Sequence, residues 1–358
     1  MSGGIKYYIQ GIGAISPQPT FDMSTFLDEP VHYEENIIKS ITPDFKQYIH
    51  PVQLRRMSRI IRIGMSAAKM CMQDAALTMP DGIITGTGYG CADDTIQFLT
   101  EMLANNEQHL TPTHFTQSTY NALSGAIALS LKCNNYNTTY VHRAFSFETG
   151  MLDAMMQIAD DHDKRFLIGG FDETDVHNYK ITSRVGYYKK EVVKNFDLYK
   201  SNTIGTIQGE GASFITLGAG QTGHSYGTVD ALKTAFGIKG AKELKQTIAR
   251  FLSDNQVGPS DIDLILSGRS GSVLSDKLLI DVCESDFDGI PVVYYKHLTG
   301  DYCASSAFAT WLMARILKEQ RVPQALLPEK SIDAPIKKIL YLNQYMGRQY
   351  SMMLFSSI

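Results

Sequence analysis

Thr138-Thr139-Tyr140-Val141-His142-Arg143-Ala144-Phe145-Ser146-Phe147-Glu148-Thr149-Gly150 is the stretch whose reading decides the fold. Thr138 to Val141 are β-branched or aromatic and favour a short strand. From about Glu148 a helical period takes over, with Met151, Leu152, Met155, Ile158 and Ala159 on one face. The polar run Asp160-Asp161-His162-Asp163 stops that helix, and Arg165 to Ile168 reads as a buried strand ahead of Gly169-Gly170. Strand, sharp turn, helix and strand make a βαβ crossover, which implies parallel pairing and a right-handed connection. The first turn of such a unit lies at a helix N-terminus, where free backbone N–H groups favour a thiolate or an oxyanion. A nucleophile is expected there. The turn reads Ala144-Phe145-Ser146-Phe147 and holds no cysteine.

Upstream, Lys6 to Ile15 reads as a strand entering a Ser-Pro turn. Its Gly11 and Gly13 resemble half of a dinucleotide fingerprint, but Ser16-Pro17 stands where a helix would begin, so small residues at a strand end are the better reading. Asp22 to Pro51 is irregular and polar. Arg55 to Ala76 is an amphipathic helix, with Ile60, Ile61, Gly64, Ala67, Ala68, Cys71 and Ala75 recurring at helical spacing. Its Arg55, Arg56, Arg59, Arg62 and Lys69 read as a solvated face, with an acidic partner as the sharper alternative. Asp81 to Thr85 forms a strand running into Gly86-Thr87-Gly88-Tyr89-Gly90, where so many glycines imply close backbone approach. A helix over Asp93 to Asn105, a polar loop over Thr111 to Asn121 containing His114, and a helix over Ala122 to Leu131 complete this side.

Downstream, Asp172 to Ser201 reads as loops and short helices, and Gly205 to Leu217 as two strands joined by a tight turn at Gly209-Glu210-Gly211. After the glycine-rich Gly218 to Gly223 the pattern restarts. Strands are expected over Tyr226 to Val229, Ile262 to Leu266, Pro291 to Tyr295, Ile339 to Leu342 and Tyr350 to Phe355. Helices fall between them over Ala241 to Asp254, near Asp276 to Cys283, and over Ala304 to Leu317. The chain is therefore α/β and divides into halves at residues 1–218 and 219–358.

The 358 residues carry 33 Lys and Arg against 37 Asp and Glu, a net charge of −4 that gives no general attraction to nucleic acid or anionic lipid. No apolar run reaches membrane-spanning length, and Met1 to Lys6 lack the apolar core of a signal peptide. Five widely spaced cysteines in no paired motif point to reduced thiols in a cytoplasm. The nine histidines show no ligand spacing, so neither a metal nor another cofactor is expected.

Seven of these stretches, in this order, resemble the β-ketoacyl synthases of the thiolase-like superfamily. Lys6 to Pro17 is similar to their opening strand, and Arg55-Arg56-Met57-Ser58-Arg59 to the start of their first long helix. Gly86-Thr87-Gly88, Gly169-Gly170-Phe171-Asp172-Glu173 and Gly209-Glu210-Gly211-Ala212 resemble their Gly-Thr-Gly, Gly-Gly-x-Glu and Gly-Glu-Gly-Ala motifs. Asp261-Ile262-Asp263-Leu264-Ile265 and Lys296-His297-Leu298-Thr299-Gly300 match two more. The resemblance implies two βαβαβαββ halves stacked in α-β-α-β-α layers, a dimer, and acyl-carrier-protein thioesters as ligands. The strand at Thr138 to Val141 is expected to build the dimer.

The resemblance fails at the reactive positions. The family's cysteine stands at the strand–helix turn, where this chain has Phe145; a register one or two residues later puts Ser146 or Phe147 there. The first family histidine falls on Gly268, followed by Arg269. The second falls on Asp301, although Lys296, Thr299 and Gly300 survive. The closing Gly-Phe-Gly-Gly loop is reduced to Tyr345-Met346-Gly347-Arg348. A phenylalanine supplies no nucleophile, and each missing oxyanion donor typically removes ~10²–10³ in rate. The site is thus expected to be degenerate and catalytically inactive on its own.

Scaffold without chemistry resembles the chain-length-factor subunits that pair with an active ketosynthase. Ser118 to Gly125 and His142 to Glu148 look more like the divergent ketosynthase-like proteins of bacterial aryl polyene and flexirubin-type pigment clusters. The expected partners are an active ketosynthase subunit, or a second copy of this chain, and an acyl carrier protein. Two readings stand beside it: an active acyl transferase using Ser146 with His142 as base, and a scaffold with no acyl ligand.

Overall fold

The computed structural model describes residues 5–328, 332 and 334–358, so the first four residues of the Met1 to Lys6 stretch lie outside the described residues. A first run of elements comprises β1 (Tyr7–Ile15), α1 (Pro51–Leu54), α2 (Arg59–Asp74), β2 (Gly82–Gly86), α3 (Ala92–Ala104), α4 (Pro112–Gln117), α5 (Ala122–Leu131), β3 (Tyr136–Tyr140), α6 (Ser146–Asp160), β4 (Arg165–Asp172), α7 (Val176–Thr182) and β5 (Gly211–Gly218). A second run comprises β6 (Gly227–Phe236), α8 (Ala241–Asp254), β7 (Leu264–Gly268), α9 (Lys277–Asp286), β8 (Val292–Tyr294), α10 (Lys296–Thr299), α11 (Ser305–Glu319), β9 (Lys338–Tyr345) and β10 (Gln349–Ser356).

The strands lie in the order β3-β2-β4-β5-β1-β6-β10-β9-β7-β8. Counted inward from either edge, each run places its third, second, fourth, fifth and first strands in turn. The senses repeat as well: β2 is parallel to β3 and β4, β7 is parallel to β8 and β9, and the last strands of both runs are antiparallel. The runs join where Tyr7 to Ile9 pair antiparallel with Gly227 to Val229.

Alternation along the strands sorts side chains between layers. Ile84, Phe166, Ile168, Ile215 and Leu217 face a central core with Leu264, Leu266, Ile339, Tyr341, Met353 and Phe355 from the second run. Phe147, Met151, Ala154 and Ile158 of α6, together with most of α11, fill that central layer. The opposite faces pack outward: Ile83, Leu167 and Phe214 against α2 and α5, and Ile265, Leu340, Met352 and Leu354 against α8 and α9. Five layers result, helix–sheet–helix–sheet–helix, with α6 and α11 buried between the two halves of one ten-stranded sheet.

Several local expectations change. β3 and β4 do not pair with each other, because β2 lies between them. Gly205 to Leu217 is no hairpin. Gly209 is pressed against the Thr299–Gly300 backbone, Gln208 bridges to Ile37 and Asp301, and only Gly211 onward forms a strand. The loop expected at Thr111 to Asn121 contains α4, which starts on Pro112 at a position where its missing N–H costs nothing. β6 extends to Phe236 because β10 pairs along its length.

β3 pairs with β2 alone and lies at the sheet edge. The neighbouring α5 is apolar on all sides, a pattern typical of a buried helix, yet Leu129 is 81% exposed. Met156 and Tyr136 are exposed beside this edge too. Among the described residues no helix is long and apolar enough to cross a membrane.

Candidate functional site

Three sequence motifs converge below the head of α6. The buried Asp172 carboxylate accepts hydrogen bonds from Thr87 Oγ1 (2.9 Å), the Gly88 N–H (2.8 Å) and the Tyr89 N–H (3.1 Å). Its second oxygen accepts from the Ala304 N–H at 2.9 Å, so one side chain ties the Gly-Thr-Gly loop to the start of α11. Gly88 has to be glycine, because a Cβ there would collide with the Cys303 sulfur. Behind it, buried Glu210 takes Arg59 at 2.5 Å and also accepts from Ser40 and Thr174. Arg59 thus pairs with that carboxylate while its side chain stays partly exposed.

Between β3 and α6 the chain makes a tight turn, Arg143–Phe145, that runs directly into the helix at Ser146. Arg143 adopts a left-handed backbone with φ +52°, a strained conformation for a residue with a Cβ and one that concentrates at functional sites. The helix begins two residues earlier than its apolar period suggests. The left-handed residue of this turn is Arg143, two residues before Phe145.

The neighbours then fall into place. Phe145 turns towards the cleft in front of the elbow. The Ser146 side chain is fully buried; its Oγ accepts from the His142 N–H at 2.8 Å and shares its single proton between Arg143 O (2.6 Å) and Thr87 O (2.8 Å). Phe147 lies in the central core and does not line a pocket.

On the second run, Gly268 ends β7, and a Cβ there would strike the Asn343 side chain. Arg269 turns away to a separate surface hollow, where its guanidinium lies 5.6 Å from the Tyr199 ring and 5.2 Å from that of Tyr294. It is not part of the site. Lys296 Nζ lies 2.9 Å from Asp301 Oδ1 and donates to Gln344 O at 2.9 Å. Burial pushes the Asp301 carboxyl upward, against the pull of Lys296. Glu148, completely buried on α6, is pushed up to about 7 by desolvation, opposed by hydrogen bonds and by Lys296.

Three cavities surround these groups. The largest, about 1090 Å³, is lined by Arg143 and Phe145; one of about 230 Å³ reaches Asp301; one of about 90 Å³ reaches Cys303 and Asp172. Tyr345 borders all three and separates them. It packs with Ala144, Cys303, Tyr89 and Met346, and the Cys303 thiol donates to its hydroxyl at 3.4 Å. Burial holds that thiol far above the ordinary thiol range, so it carries no thiolate near neutrality. Phe145 and Asp301 open into different cavities. Arg143 and the Tyr345–Cys303 plug escape a reading of the sequence, because neither a left-handed arginine nor a filled chamber leaves a residue pattern. Among the described residues no group of three or more His, Cys, Asp or Glu is placed to hold a metal.

Residues 34–186 match the family model described as the β-ketoacyl synthase N-terminal domain. The whole chain superposes on the ishigamide ketosynthase/chain length factor with a TM-score of 0.80 at 19% identity, covering 99% of this chain and 100% of that one. A type II polyketide acyl-carrier protein in complex with its ketosynthase bound to the hexaketide gives 0.78 at 14% identity, with 99% and 100% covered. A β-ketoacyl synthase from Burkholderia phymatum STM815 gives 0.78 at 12% identity with the same coverage. No curated protein matches the chain. The fold is the mixed α/β, thiolase-like ketosynthase fold.

Proposed function

We propose that this chain is a non-condensing, chain-length-factor-type subunit that pairs with an active ketosynthase in polyketide, polyene or fatty-acid-like synthesis. The observation that carries the reading is the elbow. The residue held in strained left-handed backbone at the head of the central helix is Arg143, whose side chain cannot form an acyl ester or thioester. On this reading Arg143, rather than Phe145, stands at the family's cysteine position.

The rest of the pocket agrees. Gly268 leaves no room for an imidazole until Asn343 moves, and Asp301 is tied to Lys296 where the family has its second histidine. Ser146, the candidate for an active acyl transferase, has its hydroxyl proton engaged by two carbonyls and no route to a cavity. Tyr345 and Cys303 pack between the cleft that Phe145 lines and the cavity that reaches Asp301. A fold kept while its chemistry is removed suits a subunit whose role is to complete another. The uncovered apolar face of α5 beside the β3 edge supplies the surface for that partner. The five widely spaced cysteines, none in a paired motif, suit a reducing cytoplasm, where acyl carrier proteins would meet the pair.

The test is co-expression with the ketosynthase encoded beside this chain, followed by affinity capture and native mass spectrometry. A 1:1 complex that condenses acyl and malonyl carrier-protein thioesters, with no condensation by this chain alone, is the expected result. Condensation by this chain alone would overturn the reading.

A further inference from the structure

The largest cleft has a composition that an acyl-thioester chamber does not require. Arg143 and Arg348 both line it, and no Asp or Glu does. Neither guanidinium forms a hydrogen bond or ion pair with a described residue, so the cleft holds two uncompensated positive charges in a chain whose net charge is −4. Its walls are aromatic: Tyr89, Phe145, Tyr187 and Tyr345 all contribute. A volume of about 1090 Å³ accommodates a ligand of drug size. Guanidinium forks match a carboxylate bidentately, and flat aromatic faces favour a flat unsaturated body over a coiling saturated one.

We propose that this cleft binds a free aromatic or conjugated carboxylate, held by Arg143 and Arg348 without any covalent bond. The inference rests on the reading of the chain as a non-condensing subunit, since it puts an anion-holding residue where a nucleophile would otherwise stand. A free acid presents an anion at the end of the conjugated body, where a thioester presents a neutral carbonyl, so the acid is the ligand that the two guanidiniums match.

The test uses the purified full chain and cis-parinaric acid, a conjugated tetraene carboxylic acid whose fluorescence rises on binding, with its methyl ester and stearic acid as competitors. The ester and stearate should each bind at least 10-fold more weakly than parinarate. Arg143→Gly should lose affinity on the order of 10–100-fold, the span of a charge-assisted hydrogen bond. Glycine accepts the left-handed backbone, so this variant should melt no lower than the parent, which separates lost binding from lost fold. Arg143→Lys, which keeps the charge and loses the fork, should fall between them. Absence of parinarate binding, equal binding of ester or stearate, or unchanged affinity in Arg143→Gly would overturn the proposal. None of these outcomes touches pairing with a ketosynthase; failed pairing by a chain that still binds parinarate would remove the subunit reading alone.

Discussion

Lys296 Nζ sits 2.9 Å from Asp301 Oδ1, with both side chains almost entirely sealed from solvent. Removing one member of such a pair leaves an uncompensated buried charge, which typically costs about 3–5 kcal/mol, whereas replacing both with apolar groups is often neutral. Asp301→Asn should therefore destabilise the chain strongly in urea denaturation. Lys296→Met with Asp301→Leu should recover most of the loss. A near-neutral Asp301→Asn would show that the pair is solvated in solution.

Glu148 gives the chain a pH signature. Its carboxyl is held at about 7, above its ordinary 4.5, because burial disfavours the charge. The folded state keeps this proton while the unfolded chain loses it, so the associated stability is complete below about pH 4.5 and is lost as pH rises to about 7. His297 acts in the opposite sense: burial lowers it from 6.5 to about 4, so its contribution is lost on acidification through that range. The two oppose each other and flatten the parent's profile. Glu148→Gln should remove one of them, so that its stability relative to the parent rises by about 3 kcal/mol between pH 4.5 and 7. Urea titrations across that range measure the difference, and a constant offset would contradict the buried protonated carboxyl.

Tyr345 separates the cavities and covers Cys303. In the parent, Cys303 should resist a thiol reagent such as dithionitrobenzoate. Tyr345→Ala should expose it, at a stability cost of about 3–5 kcal/mol by analogy with other large aromatic truncations. Peptide mapping identifies the labelled cysteine. Rapid labelling of Cys303 in the parent would mean that the plug opens.

Leu129 lies four-fifths exposed on an otherwise apolar helix. Leu129→Asp should abolish association with the partner subunit in size-exclusion chromatography while leaving the melting temperature of the isolated chain within a few degrees. Unchanged association would place the interface elsewhere.

Much of the scaffold was legible because it follows from periodicity. Ala241–Asp254 and Ala122–Leu131 match their apolar patterns residue for residue, and the α11 stripe is nearly as plain. Gly86, Gly88 and Asp172 were visible as motifs, although not as one hydrogen-bonded junction. What sequence could not supply was register and long-range contact. The false hairpin at Gly209 arose from reading glycines as a turn, when Thr299 and Gly300 approach that backbone from the other half. At the site, the apolar period of α6 begins at Glu148 and does not reveal that the helix starts at Ser146, directly after the turn at Arg143–Phe145. A signal was present in Ser146, a small hydroxyl residue suited to bonding backbone at a helix start, which marks the helix and not the elbow.

The central claim is that this chain contributes no acyl-carrying residue to the condensing pair. Intact-protein mass spectrometry of the co-purified complex, after incubation with an acyl-loaded carrier protein, tests it most directly. The acyl mass should appear on the ketosynthase partner alone, with this chain unmodified at every cysteine and at Ser146. Stoichiometric acylation of this chain would contradict the account.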